Sequence, residues 1–219
     1  MLFPQARILI FAKAPEAGRV KTRLVPALGA DSAADLYLNL LRSTIHWIQA
    51  AEIAPLICCC APDTEHKVFQ QFSHDYHIAL ETQVGEDLGE RMANAASRQL
   101  AANRPVVLIG GDCPVLQTRH LLQALDWLKQ GCDAVIGPAE DGGYVLLGLN
   151  RLAPDLFRGI AWGSAGVLDE TRRRLQRLDW CWQELETLWD LDRPEDLHRF
   201  QARSDQPVCD AERTADPRS

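Results

Sequence analysis

The chain has no apolar run long enough to cross a bilayer. Its longest stretches, such as IAPLICCCA, fall well short of the roughly 20 residues that a span requires. The opening MLFPQARILIFAKA has no basic segment ahead of its short apolar run, so it reads as a strand rather than a signal peptide. From both absences we expect a cytoplasmic protein.

A paired cysteine pattern in the sequence is absent too. The seven cysteines are an odd number and none form a C-x-x-C pair, which argues against a disulfide framework or a zinc knuckle. Cys58, Cys59 and Cys60 sit in a strand-like run, where they read as small buried hydrophobes. The six histidines show no metal-ligand spacing, and residue order alone establishes no Ser-His-Asp arrangement. Neither G-x-x-x-x-G-K-[ST] nor G-x-G-x-x-G occurs, and there is no internal repeat. Positive charge is scarce: the formal net charge is −7, which argues against a general nucleic-acid partner.

What the chain does have is enough material for one core. It is 219 residues long and 47% hydrophobic, which predicts one domain over residues 1–203 and a disordered polar tail over 204–219. Strand and helix patterns alternate. RILIFA, PLICCCA, YHIAL and PVVLIG read as strands, followed by CDAVIG, GGYVLLGL and an edge strand at CWQELET. Helical spacing runs from Asp31 to about Ala51, with Asp31 or Ser32 as cap, and through DTEHKVFQQF, capped by Asp63 or Thr64. Further helices are expected over 86–102, 118–130 and 165–178, and from Pro194. This order predicts an α/β fold with a mostly parallel central sheet and helices on both faces, and ligands beyond the carboxyl ends of the strands.

The scarce positive charge is concentrated in KAPEAGRVKTRL, directly after the first strand. Lys13, Arg19, Lys21 and Arg23 would neutralise a di- or triphosphate there, with Gly18 giving the turn its freedom. A solvated loop is the plainer reading. In GGDCPVL, Asp112 ends a central strand, where it would coordinate Mg²⁺ or Mn²⁺ together with a nucleotide phosphate, or simply cap the turn. In AEDGGYVLLGL, Glu140 and Asp141 would face the crevice. Asp141 would orient or deprotonate an acceptor hydroxyl, and Gly142 and Gly143 would let a substrate approach the backbone. The plainer reading is a β-turn.

In WDLDRPEDL, Asp190 and Asp192 share one face of an extended segment. One of them, with Asp192 as the candidate, would join Asp112 on the metal; the plainer reading is that they counter nearby arginines or cap the Pro194 helix. Gln83, Gly85 and Arg91 lie at a loop-to-helix junction suited to a base or an anion. Trp162 would stack on a sugar or base, or pack in the core, and Ser164 would cap the following helix.

With these segments quoted, the chain resembles a bacterial family, the radical-SAM/selenodomain-associated transferases, also called arsenosugar-biosynthesis-type glycosyltransferases. The matching blocks are FAKAPEAGRVKTRL, QVGEDLGERM, GGDCPVL, EDGGYVLLGL, GIAWGSAGVL and LDRPEDL, in order from about residue 8 to 197. The resemblance implies a nucleotide-diphospho-sugar transferase superfamily member with a Rossmann-like GT-A fold. It implies transfer of a glycosyl group from a nucleotide sugar to a small acceptor. The K…KTRL block also resembles 2-phospholactate guanylyltransferases, and the layout resembles molybdenum cofactor guanylyltransferases. These imply the alternative: nucleotidyl transfer from an NTP to a small phosphorylated acceptor, with release of pyrophosphate. Two departures stand out. The first loop is rich in lysine and arginine rather than glycine, and GGDCP supplies one aspartate where a D-x-D would supply two. A non-catalytic nucleotide-binding regulator is a third reading. Base, sugar, acceptor and oligomeric state stay open.

Overall fold

Residues 1–204 are described by a computed structural model. In β1 (Arg7–Lys13), Ile8, Leu9 and Ile10 are each fully buried. A strand covered on both faces belongs at the centre of a parallel sheet. Alternation divides its side chains. Ile8 and Ile10 join one core with helices α2 (Ala30–Ala50), α3 (Lys67–Tyr76) and α5 (Thr118–Lys129). Leu9 joins the other core, with α4 (Leu88–Leu100) and α6 (Val167–Arg177). Each such buried Leu or Ile contributes about 2 kcal/mol.

The remaining strands are β2 (Leu56–Ala61), β3 (Ala79–Thr82), β4 (Val106–Gly110), β5 (Ala134–Pro138), β6 (Tyr144–Leu149) and β7 (Trp182–Glu184). They form one seven-stranded sheet in the order β3-β2-β1-β4-β6-β5-β7. All pairs are parallel except those made by β6, which runs antiparallel to both β4 and β5. The expected α/β fold with a mostly parallel sheet is therefore the observed one. Reversal of β6 lets a tight turn at 139–143 join it to β5, where a parallel neighbour would need a long crossover. The three adjacent cysteines of β2 are fully buried.

Several local expectations differ from what is seen. The third strand starts at Ala79, because Tyr76 still belongs to α3 and His77 leaves that helix at φ 52°. Its start differs as well: His66, not Asp63 or Thr64, caps it by accepting from the Val68 N–H. Neither Asp31 nor Ser32 caps α2. Gly29 precedes it at φ 80° and ψ 160°, without a side-chain bond. Gly166 rather than Ser164 precedes α6. A short helix, α1 (Val25–Leu28), follows the basic loop, and α7 (Pro194–Ser204) opens on its proline as expected. Most of the expected polar tail, 205–219, lies outside the described residues. Among the described residues, no helix is long and apolar enough to cross a membrane.

Candidate active site

The carboxyl ends of β1 and β4 are neighbours, so the loops that leave them meet. The basic loop sends its four cations to different places. Lys13, Arg19 and Arg23 stay exposed. Arg19 pairs with Glu16 at 3.1 Å. Lys21 turns inward, from a left-handed backbone at φ 47° and ψ 40°. Its side chain is 3% exposed, and Nζ lies 2.6 Å from Asp112 Oδ2 and 3.9 Å from Asp192 Oδ1. Arg23 also donates to Asp192, and this raises the affinity of its guanidinium for its proton. Gly18 sits at φ 77° with open space where a Cβ would be, so the left-handed turn alone favours glycine there.

Asp112 follows β4 directly, and the 189–192 segment is fastened beside it by backbone contacts. The Cys113 thiol donates to the Trp189 carbonyl at 3.2 Å, and the Leu191 N–H donates to the Asp112 carbonyl at 3.3 Å. Burial pushes Cys113 up to about 12, so it remains a protonated donor and no nucleophile. Leu191 is fully buried while Asp190 and Asp192 are part-exposed, the alternation of an extended segment. Asp190 is raised to about 6, first by burial and then by Asp112 and Asp141, against a lowering by Lys21. Asp190 thus feels the charges of Asp112 and Asp141, while Asp192 lies beside Lys21 and Arg23. The i, i+2 spacing of Asp-Leu-Asp carried that signal, but not which aspartate comes nearer.

The chemistry of these donors suits a hard divalent cation, since carboxylate oxygens are what Mg²⁺ and Mn²⁺ prefer. Among the described residues no three His, Cys, Asp or Glu side chains are arranged as a complete metal cage. Two carboxylates next to a cation-lined loop fit an ion that takes the rest of its ligands from a phosphate and water.

Two cavities adjoin here, and Phe11 and Leu88 line both. The larger, of about 420 Å³, is polar and holds Lys13, Arg19, Lys21, Arg23, Gln83 and Asp112. Gln83 donates its amide N–H groups to Ala12 O (3.1 Å) and Cys59 O (2.7 Å), which ties three strand ends together. With both donors so placed, its carbonyl oxygen is the group left for a ligand. Tyr37 donates no charge here: burial, followed by Asp112, holds its phenol protonated, and its oxygen accepts from the Lys13 N–H at 2.9 Å. Arg91 lines neither cavity. It donates to Gly85 O at 2.9 Å and closes its own loop.

The second cavity, of about 230 Å³, is mostly apolar, with Asp141 and Asp190 among its few polar groups. Trp162 forms one wall. It stacks on Phe157 at 6.4 Å and 26°, meets Tyr144 edge-on at 6.4 Å, and covers Gly89, where a Cβ would stand 2.4 Å from the indole nitrogen. Trp162 thus packs and lines at once, and its buried Nε1 has no hydrogen-bond partner among the described residues. Phe11, Leu88 and Met92 complete this wall, although their apolar character gave no functional cue in the sequence.

The Glu140–Gly143 turn is only partly as expected. Asp141 reaches both the apolar cavity and a neighbouring acidic one, and its Oδ1 accepts from the Gly143 N–H at 2.9 Å. Glu140 is engaged elsewhere. It takes a bidentate pair from Arg199 at 2.8 and 3.1 Å, and Arg199 lies 4.5 Å over the Trp189 ring. The space beside Gly142 is not free for a substrate, since a Cβ there would stand 2.2 Å from the Ala165 carbonyl oxygen.

Comparison with known proteins adds the following. The bacterial family described as "Uncharacterized protein conserved in bacteria (DUF2064)" matches residues 44–164. A crystal structure from Desulfovibrio desulfuricans G20, provisionally assigned as a nucleotide-diphospho-sugar transferase, is 34% identical. The match covers 94% of this chain and 90% of that one, with a TM-score of 0.85. A cytidylyltransferase from Leptospira borgpetersenii shares 14% identity over 91% of this chain and 86% of its own, with a TM-score of 0.60. A nucleotidyl transferase from Methanothermobacter thermautotroptrophicus shares 14% over 90% and 97%, with a TM-score of 0.56. The last two show a common fold. No curated protein matches the chain significantly.

Proposed function

Starting from a chain that belongs to the DUF2064 family, we propose a metal-dependent transferase that moves a glycosyl group from a nucleotide-diphospho-sugar to a small acceptor. The observation that carries this reading is the Lys21–Asp112 contact, which brings the basic loop and the acidic strand end to one crevice. Likeness to the 34%-identical relative supports the sugar-nucleotide donor. The six sequence blocks alone support the narrower grouping with the radical-SAM/selenodomain-associated transferases.

In this reading the polar cavity takes the nucleotide diphosphate. Lys13, Arg19 and Arg23 offer exposed cations to its oxygens, and Gln83 offers a carbonyl acceptor near the base. Asp112, with Asp192 or Asp190, would hold Mg²⁺ or Mn²⁺, which neutralises charge on a leaving diphosphate. The apolar cavity takes the sugar and acceptor. Asp141 stands at its mouth, held by Gly143, where it would orient or deprotonate an acceptor hydroxyl. Trp162 supplies a flat apolar wall, and its exclusion of water strengthens the charge interactions beside it.

Nucleotidyl transfer is the second reading, favoured by the shared fold of the cytidylyl and nucleotidyl transferases. The same cations would then stabilise attack of an acceptor phosphate on the α-phosphorus of an NTP. Incubation with NTPs and with UDP-, GDP- and dTDP-sugars, each with Mn²⁺, separates the two. Release of a nucleoside diphosphate from a nucleotide sugar is the expected result. Pyrophosphate release from an NTP would transfer the assignment to the second reading. Metal-dependent nucleotide binding without turnover of any donor would favour a regulator.

A further inference from the structure

At the other end of the sheet, before β5 and β7 begin, two cysteines meet. Cys132 Sγ and Cys181 Sγ are 3.8 Å apart, although the residues are 49 positions apart in sequence. Cys181 is exposed, whereas the other five described cysteines are buried. Cys58 and Cys60 approach as closely, at 3.7 Å, but lie fully buried on one strand where no solute reaches them.

The backbones around the exposed pair are held firmly. Strands β5 and β7 run parallel, with Ala134 opposite Trp182. The Asp133 N–H donates to Cys181 O at 2.8 Å, and the Cys181 N–H donates back to Asp133 Oδ2 at 2.9 Å. Arg151 fixes Asp133 at 2.8 Å. Contraction to a sulfur–sulfur bond of about 2.05 Å therefore falls mainly on the two cysteine side chains.

We propose that Cys132 and Cys181 are a thiol pair that oxidises reversibly to a disulfide with a low-molecular-weight disulfide as oxidant. The exposed Cys181 thiolate attacks one sulfur of the oxidant, breaks its sulfur–sulfur bond and expels one thiolate. Cys132 then attacks Cys181 Sγ and expels the second. Two cysteine thiols are oxidised, one small disulfide is reduced to two thiols, and the two cysteine protons end on the leaving groups. Burial, and then the neighbouring Cys181, raises the Cys132 thiol, so Cys181 is the first to react and alkaline pH speeds closure. The bond would tie β7, the strand at the sheet edge, to β5.

The test is glutathione disulfide added to the full chain at about pH 8, read by intact mass and peptide mapping. The expected product lacks two hydrogens, links the Cys132 and Cys181 peptides, reverts with dithiothreitol, and melts roughly 5 °C higher. Cys132→Ser should keep one glutathione on Cys181, and Cys181→Ser should leave Cys132 unmodified. A wild-type chain that retains glutathione on Cys181 without expelling it overturns the proposal. So does a link through any other cysteine.

Discussion

Lys21 places its ammonium 2.6 Å from one carboxylate oxygen of Asp112, and the two residues lie 91 positions apart. The contact joins the loop after the first strand to the turn after the fourth, and the same ammonium lies 3.9 Å from Asp192. Replacement by methionine keeps the length but removes the charge. Lys21→Met should weaken binding of a nucleoside diphosphate about tenfold to a hundredfold, measured by calorimetry. Unchanged affinity would remove Lys21 from the phosphate site.

Asp190 gives a pH signature. Its carboxyl is raised to about 6 in the folded chain, from an ordinary 3.8. Protonation therefore favours the folded state, and stability is lost as pH rises from about 4 through about 6. Asp190→Asn should melt at a higher temperature than wild type at pH 8. The two should coincide near pH 4, where wild-type Asp190 is protonated as well. A melting curve at each pH decides; an equal gap at both pH values would contradict the assigned cause.

Gly142 is confined twice, by φ 87° and by the Ala165 carbonyl oxygen 2.2 Å from a would-be Cβ. Since that oxygen belongs to the backbone, relief requires movement of the loop before α6. Gly142→Ala should cost about 2 kcal/mol or more in urea unfolding. Gly18→Ala meets no neighbour and should cost about 1 kcal/mol.

Trp162 separates stacking from hydrogen bonding. Its Nε1 has no partner among the described residues, so Trp162→Phe loses no hydrogen bond made there and should change stability by less than about 1 kcal/mol. Trp162→Ala removes the wall of the apolar cavity. It should raise KM for the nucleotide sugar and for the acceptor while leaving affinity for the bare nucleoside diphosphate intact, which initial-rate kinetics and calorimetry would show.

How far residue order reaches can be judged from particular places. Asp112 was readable because a β-rich run stops at Gly110-Gly111, a signal contained in seven residues. The outward pairing of Asp190 and Asp192 was readable because extended backbone has a period of two. The partner of Lys21 was not, since the contact depends on how the ends of β1 and β4 meet. Glu140 looked free for the same reason: Arg199 reaches it from a helix 59 positions away. The late start of β3 was hidden by Tyr76, whose ring suits a strand or a buried helix face equally.

The 189–192 segment is fastened to the Asp112 turn by a cysteine thiol and a peptide N–H, both of which bind carbonyl oxygens. Neither contact involves a carboxylate. The frame of this segment is thus separable from the charge of Asp190, which can be made neutral without breaking either contact, whereas neutral Asp112 would leave the buried Lys21 ammonium without its partner. Asn substitution at Asp190 would therefore report on charge with the frame intact, and the same change at Asp112 or Asp192 would report on the basic loop as well.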